Sequence, residues 1–307
     1  MDSIKVFSPG SVTNLSCGYD VLGFCLENRG DEIEVHKTKS IGLEIESLDN
    51  YNISNKIDQN VAGIAAKAML ESIDIDFGFK IIIKKGIKPG SGIGSSAASS
   101  AGTVYAINQL LNSHFNNLDL VRFSMEGENF VSGSYHADNV APIILGGITL
   151  VRSISDLDII KLPSPKSLEV VIIRPNIEIK TSDSRSVVKK KVKIEKMIQQ
   201  SANLGAFISS LYSEDFDLMS RSVVDEVVEP DRSVLIPEFE SIKRISTECG
   251  AVSCGISGSG PSIFALSNNS ETSKIILNNI SSHLDKLNID YDSFISKVNP
   301  KGIKVLD

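Results

Sequence analysis

The period of hydrophobic and polar positions changes several times along the chain, and each change predicts an element. Residues 4–7 form a short extended run. Residues 32–37 and 42–46 alternate apolar and polar side chains, the pattern of strands with one buried face. From 59 to 73 the apolar residues recur at helical spacing, and Ala65, Ala66 and Ala68 permit close packing. Residues 79–83 are rich in Ile and predict a buried strand. A glycine-serine loop follows, then a helix over 95–111. A second helix is expected over 118–129, a polar loop over 132–142, and strand character over 143–152 around Gly146 and Gly147.

Residues 153–165 are polar and carry Pro163 and Pro165, which sets a domain boundary between 1–155 and 156–307. Beyond it, 168–174 reads as a strand, 182–211 as a helix with basic residues Lys189 to Lys193 on a solvated face, and 215–228 as a helix stopped by Glu229-Pro230. Further helices are expected over 236–249 and 271–287, a strand over 262–266, and extended chain over 294–306. Mixed in this order, the elements predict an α+β class with a two-layer plait in the second half.

Composition narrows the function. Hydrophobic residues make up 41% and charged residues 22%, a globular balance. The net charge is -7 and no basic stripe is present, which argues against a nucleic-acid partner. Cys17, Cys25, Cys249 and Cys254 form no CxxC pair, so a zinc site is not expected. No apolar run approaches the ~20 residues that span a bilayer, and the first residues carry no signal core. A cytoplasmic setting without membrane contact is expected, with the thiols as packing residues.

The loop Pro89, Gly90, Ser91, Gly92, Ile93, Gly94, Ser95, Ser96, Ala97 and Ala98 carries the chemistry. Its glycines let backbone approach a phosphate closely. The following helix offers unpaired N–H groups and the positive end of its dipole, so an acidic protein can still hold polyphosphate locally. Ser95 and Ser96 stand where a Walker A loop would place lysine, which removes that reading. The third glycine of a dinucleotide fingerprint is also missing. A bare glycine turn is a weak signal, but strand, loop and helix stand in the order a phosphate site requires.

This loop resembles the second signature of the GHMP kinases, the superfamily of galactokinase, homoserine kinase, mevalonate kinase and phosphomevalonate kinase. Ser8-Pro9-Gly10-Ser11-Val12-Thr13-Asn14-Leu15 resembles the first signature, and the stretch from Gly255 to Leu266 the glycine-rich third. The run from Asn14 to Gly23 is similar to the homoserine kinase form N-L-G-x-G-F-D-x-x-G, with Ser16 in place of Gly and Tyr19 in place of Phe. The loop from Ser134 to Pro142 resembles that family too. The resemblance implies a two-domain GHMP kinase fold, with an N-terminal ATP-binding domain like ribosomal protein S5 domain 2 and a C-terminal ferredoxin-like α/β plait. It also implies phosphorylation of L-homoserine to O-phospho-L-homoserine by ATP with Mg2+, for threonine synthesis, in a homodimer.

The resemblance assigns roles that suit a zwitterion bearing a hydroxyl. Asp20 would meet its amino group, Asn14 can hydrogen-bond either end, and Arg185 and Arg232 would meet its carboxylate, since guanidinium pairs with carboxylate as a two-pronged fork. His136, Thr181 and Gly258 are further substrate contacts. Asn60 would read the adenine edge. Ser96 and Glu128 would hold the metal, with Glu126 the competing carboxylate. Asp138 is either the base for the hydroxyl or a structural partner of its loop, and Asn139 orients the hydroxyl. Phosphoryl transfer relies mostly on positioning and electrostatics, so a strong base is not required. The alternatives are a mevalonate- or shikimate-type kinase of the same superfamily and a non-catalytic metabolite-binding relative. The Gly255 to Gly260 segment is expected across the cleft from the phosphate loop.

Overall fold

The computed structural model describes residues 1–48, 51–179 and 181–306, apart from the side chains of Thr181 and Ser182. Strand β1 (Ser3–Thr13) runs antiparallel to the long β2 (Leu22–Thr38). It continues well past the expected residue 7. Its second half, Ser8 to Ser11, is small, buried and without alternation, because Ser8 and Gly10 lie under the phosphate loop and its helix. Strand β2 then serves several neighbours. Its C-terminal half pairs with β4 (Gly78–Lys84), and its first residues pair with β5 (Ile148–Ser153). β3 (Gly42–Ser47) adds parallel to β4, and the crossover between them carries a 3-10 turn (Ile57–Gln59) and helix α1 (Val61–Leu70).

Helix α2 (Ser95–Leu110) is buried along most of its length between this sheet and helices α1, α3 (Asn117–Ser132) and α4 (Val140–Leu145). Its Ala, Ser and Gly residues allow this: a Cβ on Gly102 would lie 2.4 Å from Ile33. α3 starts at a reciprocal capping box, in which Asn116 accepts from Asp119 N at 3.1 Å and Asp119 accepts from Asn116 N at 3.1 Å. α4 occupies residues expected to be loop or strand. It ends at Gly146, whose φ of 72° a β-carbon would resist, and β5 begins two residues on.

Strand β6 (Asp158–Leu162) hairpins back onto β5, so the division expected between residues 155 and 156 falls in a turn of the first sheet. The last strand, β11 (Lys304–Leu306), also joins this sheet, beside β1. The second sheet has the antiparallel order β10 (Tyr291–Lys297), β7 (Glu169–Pro175), β9 (Ile263–Ser267), β8 (Ser253–Ile256). With helices between β7 and β8 and between β9 and β10, this is the 4-1-3-2 order of the split βαβ plait. Helices α9 (Phe239–Glu248) and α10 (Ser270–Lys286) cover one face through Ile242, Ile276 and Ile280. The opposite face, with Val170, Ile172, Phe264 and Leu266, joins one apolar cluster with Phe207, Leu15 and Leu26. The two halves therefore share a core.

The single helix expected over 182–211 is two. α5 (Thr181–Ser186) and α6 (Ile194–Ser213) flank a non-helical stretch that holds the clustered lysines. Adjacent like charges disfavour a continuous helix there, and Lys189 instead pairs with Asp231 at 2.8 Å. The helix expected over 215–228 stops early, as α7 (Phe216–Ser222). Asp225 takes over the backbone, accepting from Val227 N at 2.8 Å, Val228 N at 2.9 Å and Glu229 N at 3.0 Å, and so leads into α8 (Glu229–Arg232). No helix among the described residues is long and apolar enough to cross a membrane. Burial pushes the thiols of Cys17 and Cys254 up to about 12, which leaves them as inert packing groups.

Candidate active site

A cavity of about 630 Å³ opens between the two halves. One wall is the phosphate loop. Gly94 caps α2 in the left-handed conformation, with φ at 70°, and Gly92, Gly94, Ser95 and Ser96 face the cavity. The first N–H groups of a helix lack intrahelical acceptors, so this wall offers donors that an anion could accept. The third signature is not across the cleft, as expected, but directly against this loop. Ser257 Oγ donates to Gly92 O at 2.8 Å, and Ser262 Oγ donates to Ser91 O at 2.6 Å. A Cβ on Gly92 would lie 2.6 Å from Gly260 O, and its φ is 78°. Gly92→Ala is therefore expected to raise the ATP KM about tenfold, from the ~1–3 kcal/mol of a strained backbone, with a lowered Tm. An unchanged KM with unchanged melting would contradict the interlock.

Beneath the loop lies a buried ion pair that the sequence analysis did not single out. Lys85, the residue after β4, pairs with Asp31 of β2, and its ammonium also donates to Ser95 O at 2.8 Å and to Ser99 Oγ at 2.8 Å. Asp31 accepts further from Gly86 N at 3.0 Å, Ile87 N at 3.2 Å and Ser99 Oγ at 2.9 Å. A buried pair of this kind holds only when its other donors and acceptors are satisfied, and here they are. The pair ties strand, loop and helix together. A lysine closing an apolar strand just before a glycine loop was the available signal.

At the other end of the cavity, charged side chains converge. Asn14, Leu15, Ser16 and Asp20 all have positive φ, and this tight turn aims Asn14 and Asp20 inward. Asn14 Nδ2 donates to Gly258 O at 2.8 Å, and its Oδ1 accepts from Asp20 N at 3.0 Å. Arg185 Nη2 donates to Asp20 Oδ1 at 2.8 Å and to His136 Nδ1 at 3.2 Å. Arginine only donates, so His136 Nδ1 accepts, and the neutral ring donates from Nε2 to Ser134 Oγ at 2.8 Å. Burial and the Arg185 charge hold His136 below its ordinary pKa, against the pull of Asp20. Arg232 is 4% exposed, and its guanidinium donates to Ser184 O at 3.0 Å, Gly258 O at 3.1 Å and Tyr19 Oη at 3.2 Å.

Two buried carboxylates stand between these ends. Burial pushes Asp138 up to about 7, helped by Asp20 and Glu128 and countered by Thr13 and Arg185. Burial likewise raises Glu128 to about 6, with Ser96 and Lys85 opposing. Asp138 Oδ1 and Glu128 Oε1 have no hydrogen-bond partner among the described residues. Glu126 does not line the cavity; it accepts from the Tyr135 hydroxyl at 3.1 Å. Asn139 Oδ1 accepts from Ser11 Oγ at 2.8 Å, and the side chain borders the cavity.

Pro89 and Gly90 complete the glycine-rich wall of the cavity. Ser91, Ile93, Ala97 and Ala98 are buried behind it, so any part they play in nucleotide binding runs through backbone and packing. Asn60 borders an apolar end lined by Ile53, Val61, Ile83 and Phe130. Both ends of its amide are engaged, accepting from Ala62 N at 3.0 Å and donating to Ser54 O at 2.8 Å, which leaves one N–H. The side chain of Thr181 lies outside the described residues.

Family models for the GHMP kinases N terminal domain and the GHMP kinases C terminal match residues 60–147 and 207–286. With the fold above, these matches define a GHMP kinase. A homoserine kinase of Chlorobium phaeobacteroides is 37% identical, over 100% of both chains. One of Methanococcus maripaludis is 40% identical over 87% of this chain and 88% of its own. The crystal structure of a Cytophaga hutchinsonii homoserine kinase superposes with a TM-score of 0.96 at 44% identity, covering 100% of this chain and 98% of that one. The chain belongs to the homoserine kinase family. A mevalonate kinase of L. major, solved with R-mevalonate, shares the fold with a TM-score of 0.73 at 14% identity, covering 96% of each chain.

Proposed function

We propose that this ATP-dependent kinase transfers the γ-phosphoryl group of ATP to the side-chain hydroxyl of L-homoserine, giving O-phospho-L-homoserine. The observation that carries this reading is the convergence of Arg185, Arg232 and Asp20 at one end of a cavity whose other wall is the phosphate loop. Two guanidiniums and a carboxylate complement a zwitterionic amino acid. Arg232 keeps unused N–H groups on its terminal nitrogens for the substrate carboxylate. Asp20 and Asn14 take the amino group, with His136 and the Gly258 backbone shaping the seat and Thr181 a further contact one helical turn before Arg185 in sequence.

The backbone from Gly90 to Ser96 receives the polyphosphate, and the apolar end near Asn60 receives the base. Mg2+ suits the donor set: Glu128, whose buried Oε1 has no partner among the described residues, and Ser96 line the same cavity and interact, and Mg2+ takes one or two carboxylates plus phosphate oxygens. When bound, the ion neutralises charge developing on the phosphates. Asp138 and Asn139 meet the hydroxyl, Asn139 orienting it and Asp138 accepting its proton. A coupled ADP-release assay with L-homoserine tests the reading, and activity on mevalonate but not homoserine would overturn it. A protein that fails to bind MgATP in calorimetry would instead be a non-catalytic relative. We place the enzyme in the cytoplasm as a homodimer, the assembly being read by light scattering.

The perturbed Asp138 carries a signed pH dependence. Its folded pKa of about 7 exceeds the ordinary 3.8, so the native state binds the extra proton between those values. Stability of the ligand-free protein should fall as pH rises from about 4 to about 7, and Asp138→Asn should flatten that slope. Turnover should rise through the same upper limit and drop about 100-fold in Asp138→Asn, the low end for general-base catalysis. Melting curves as steep for the variant as for the parent would refute the assignment.

A further inference from the structure

The turn that presents Asp20 also presents Tyr19, where the homoserine kinase pattern more often has phenylalanine. Tyr19 does not line the cavity. Its hydroxyl accepts from Arg232 Nη2 at 3.2 Å, and the Arg232 guanidinium sits 5.0 Å from its ring centroid. Arg185 faces the same ring at 5.9 Å. Both arginines assigned to the substrate carboxylate thus meet one side chain. Nη2 of Arg232 is anchored through this phenol, while Nε and Nη1 are anchored on backbone carbonyls of Ser184 and Gly258. The aromatic face also offsets the repulsion between two neighbouring cations.

We propose that Tyr19 is a positioning residue that fixes the Arg185–Arg232 pair for recognition of an α-carboxylate, its hydroxyl setting the rotation of the Arg232 fork. The inference rests on the homoserine reading given above. Loss of the hydroxyl leaves the ring and the volume in place, so the effect should be confined to the carboxylate. Loss of the ring should add the cation–π contribution of both arginines.

The test compares the parent, Tyr19→Phe and Tyr19→Leu on L-homoserine and on 3-aminopropan-1-ol, which keeps the amine and hydroxyl but lacks the carboxylate. Tyr19→Phe should raise the L-homoserine KM about three- to tenfold, the range of one ordinary intramolecular hydrogen bond. Its kcat, its ATP KM and its kcat/KM on 3-aminopropan-1-ol should stay within about twofold of the parent. Tyr19→Leu should raise the L-homoserine KM further with the same selectivity. A Tyr19→Phe enzyme equal to the parent on both acceptors overturns the proposal. So does an equal loss on both acceptors, which would make Tyr19 a general structural residue. A parent inactive on L-homoserine overturns the substrate reading itself, and with it this inference, before any variant is compared.

Discussion

Replacing Arg232 with alanine is expected to raise the L-homoserine KM by about two to three orders of magnitude, with the ATP KM changed only a few-fold. Truncating one member of a buried, hydrogen-bonded charge pair costs ~2–5 kcal/mol, and the substrate carboxylate would lose its partner inside a largely dry seat. Arg232 is 4% exposed and is held by contacts from separate elements, so its fork is pre-set before the substrate arrives. Lysine should rescue poorly, because a point charge cannot reproduce the fork. The loss in KM should exceed the loss in kcat caused by Asp138→Ala, since a loose transition state asks more of positioning than of a base. Steady-state kinetics on both variants giving the reverse order would sink this ranking.

The second large effect is expected at Glu128. Glu128→Gln should lower kcat/KM for MgATP by about a hundred- to a thousandfold, because metal stabilisation of the transferring phosphoryl is worth several kcal/mol. The change keeps size and removes charge. Glu128 Oε1 is buried without a partner, so the amide loses no existing hydrogen bond at that atom. The ligand-free variant should consequently melt no lower than the parent at neutral pH, because a carboxylate raised to about 6 by burial is costly to ionise there. Glu126→Gln should leave catalysis near parental, as its carboxylate faces the Tyr135 hydroxyl. Equal losses at both positions, measured across a Mg2+ titration, would return the choice between them to the open.

The phosphate loop, the α2 that follows it and the plait of the second half were legible because each rests on local pattern: glycine spacing, helical period, alternating strands. Asn14, Asp20, Arg185 and Arg232 were legible through resemblance, and the structure brings them to one cavity. The roles assigned to them remain for the experiments above. What the sequence did not disclose depends on distant partners. Lys85 and Asp31 are separated by 54 positions, and neither looks unusual until β2 and β4 pair. β6 and β11 carry no marker of which sheet they join, so a boundary drawn from proline and polarity fell in a hairpin. The break between α5 and α6 coincides with a lysine cluster, whose charge repulsion overrides the helical period on either side.

The hydrogen bonds from Ser257 and Ser262 to the phosphate loop make the nucleotide seat an interdomain joint. Free energy coupled through such a joint is reciprocal. Gly92 and Gly260 are in close contact, so a polyphosphate that orders one should order the other, and fraying of the second sheet near Ile256 should loosen the loop. Nucleotide seated on this loop should therefore act as a clasp, raising the melting temperature of both halves together.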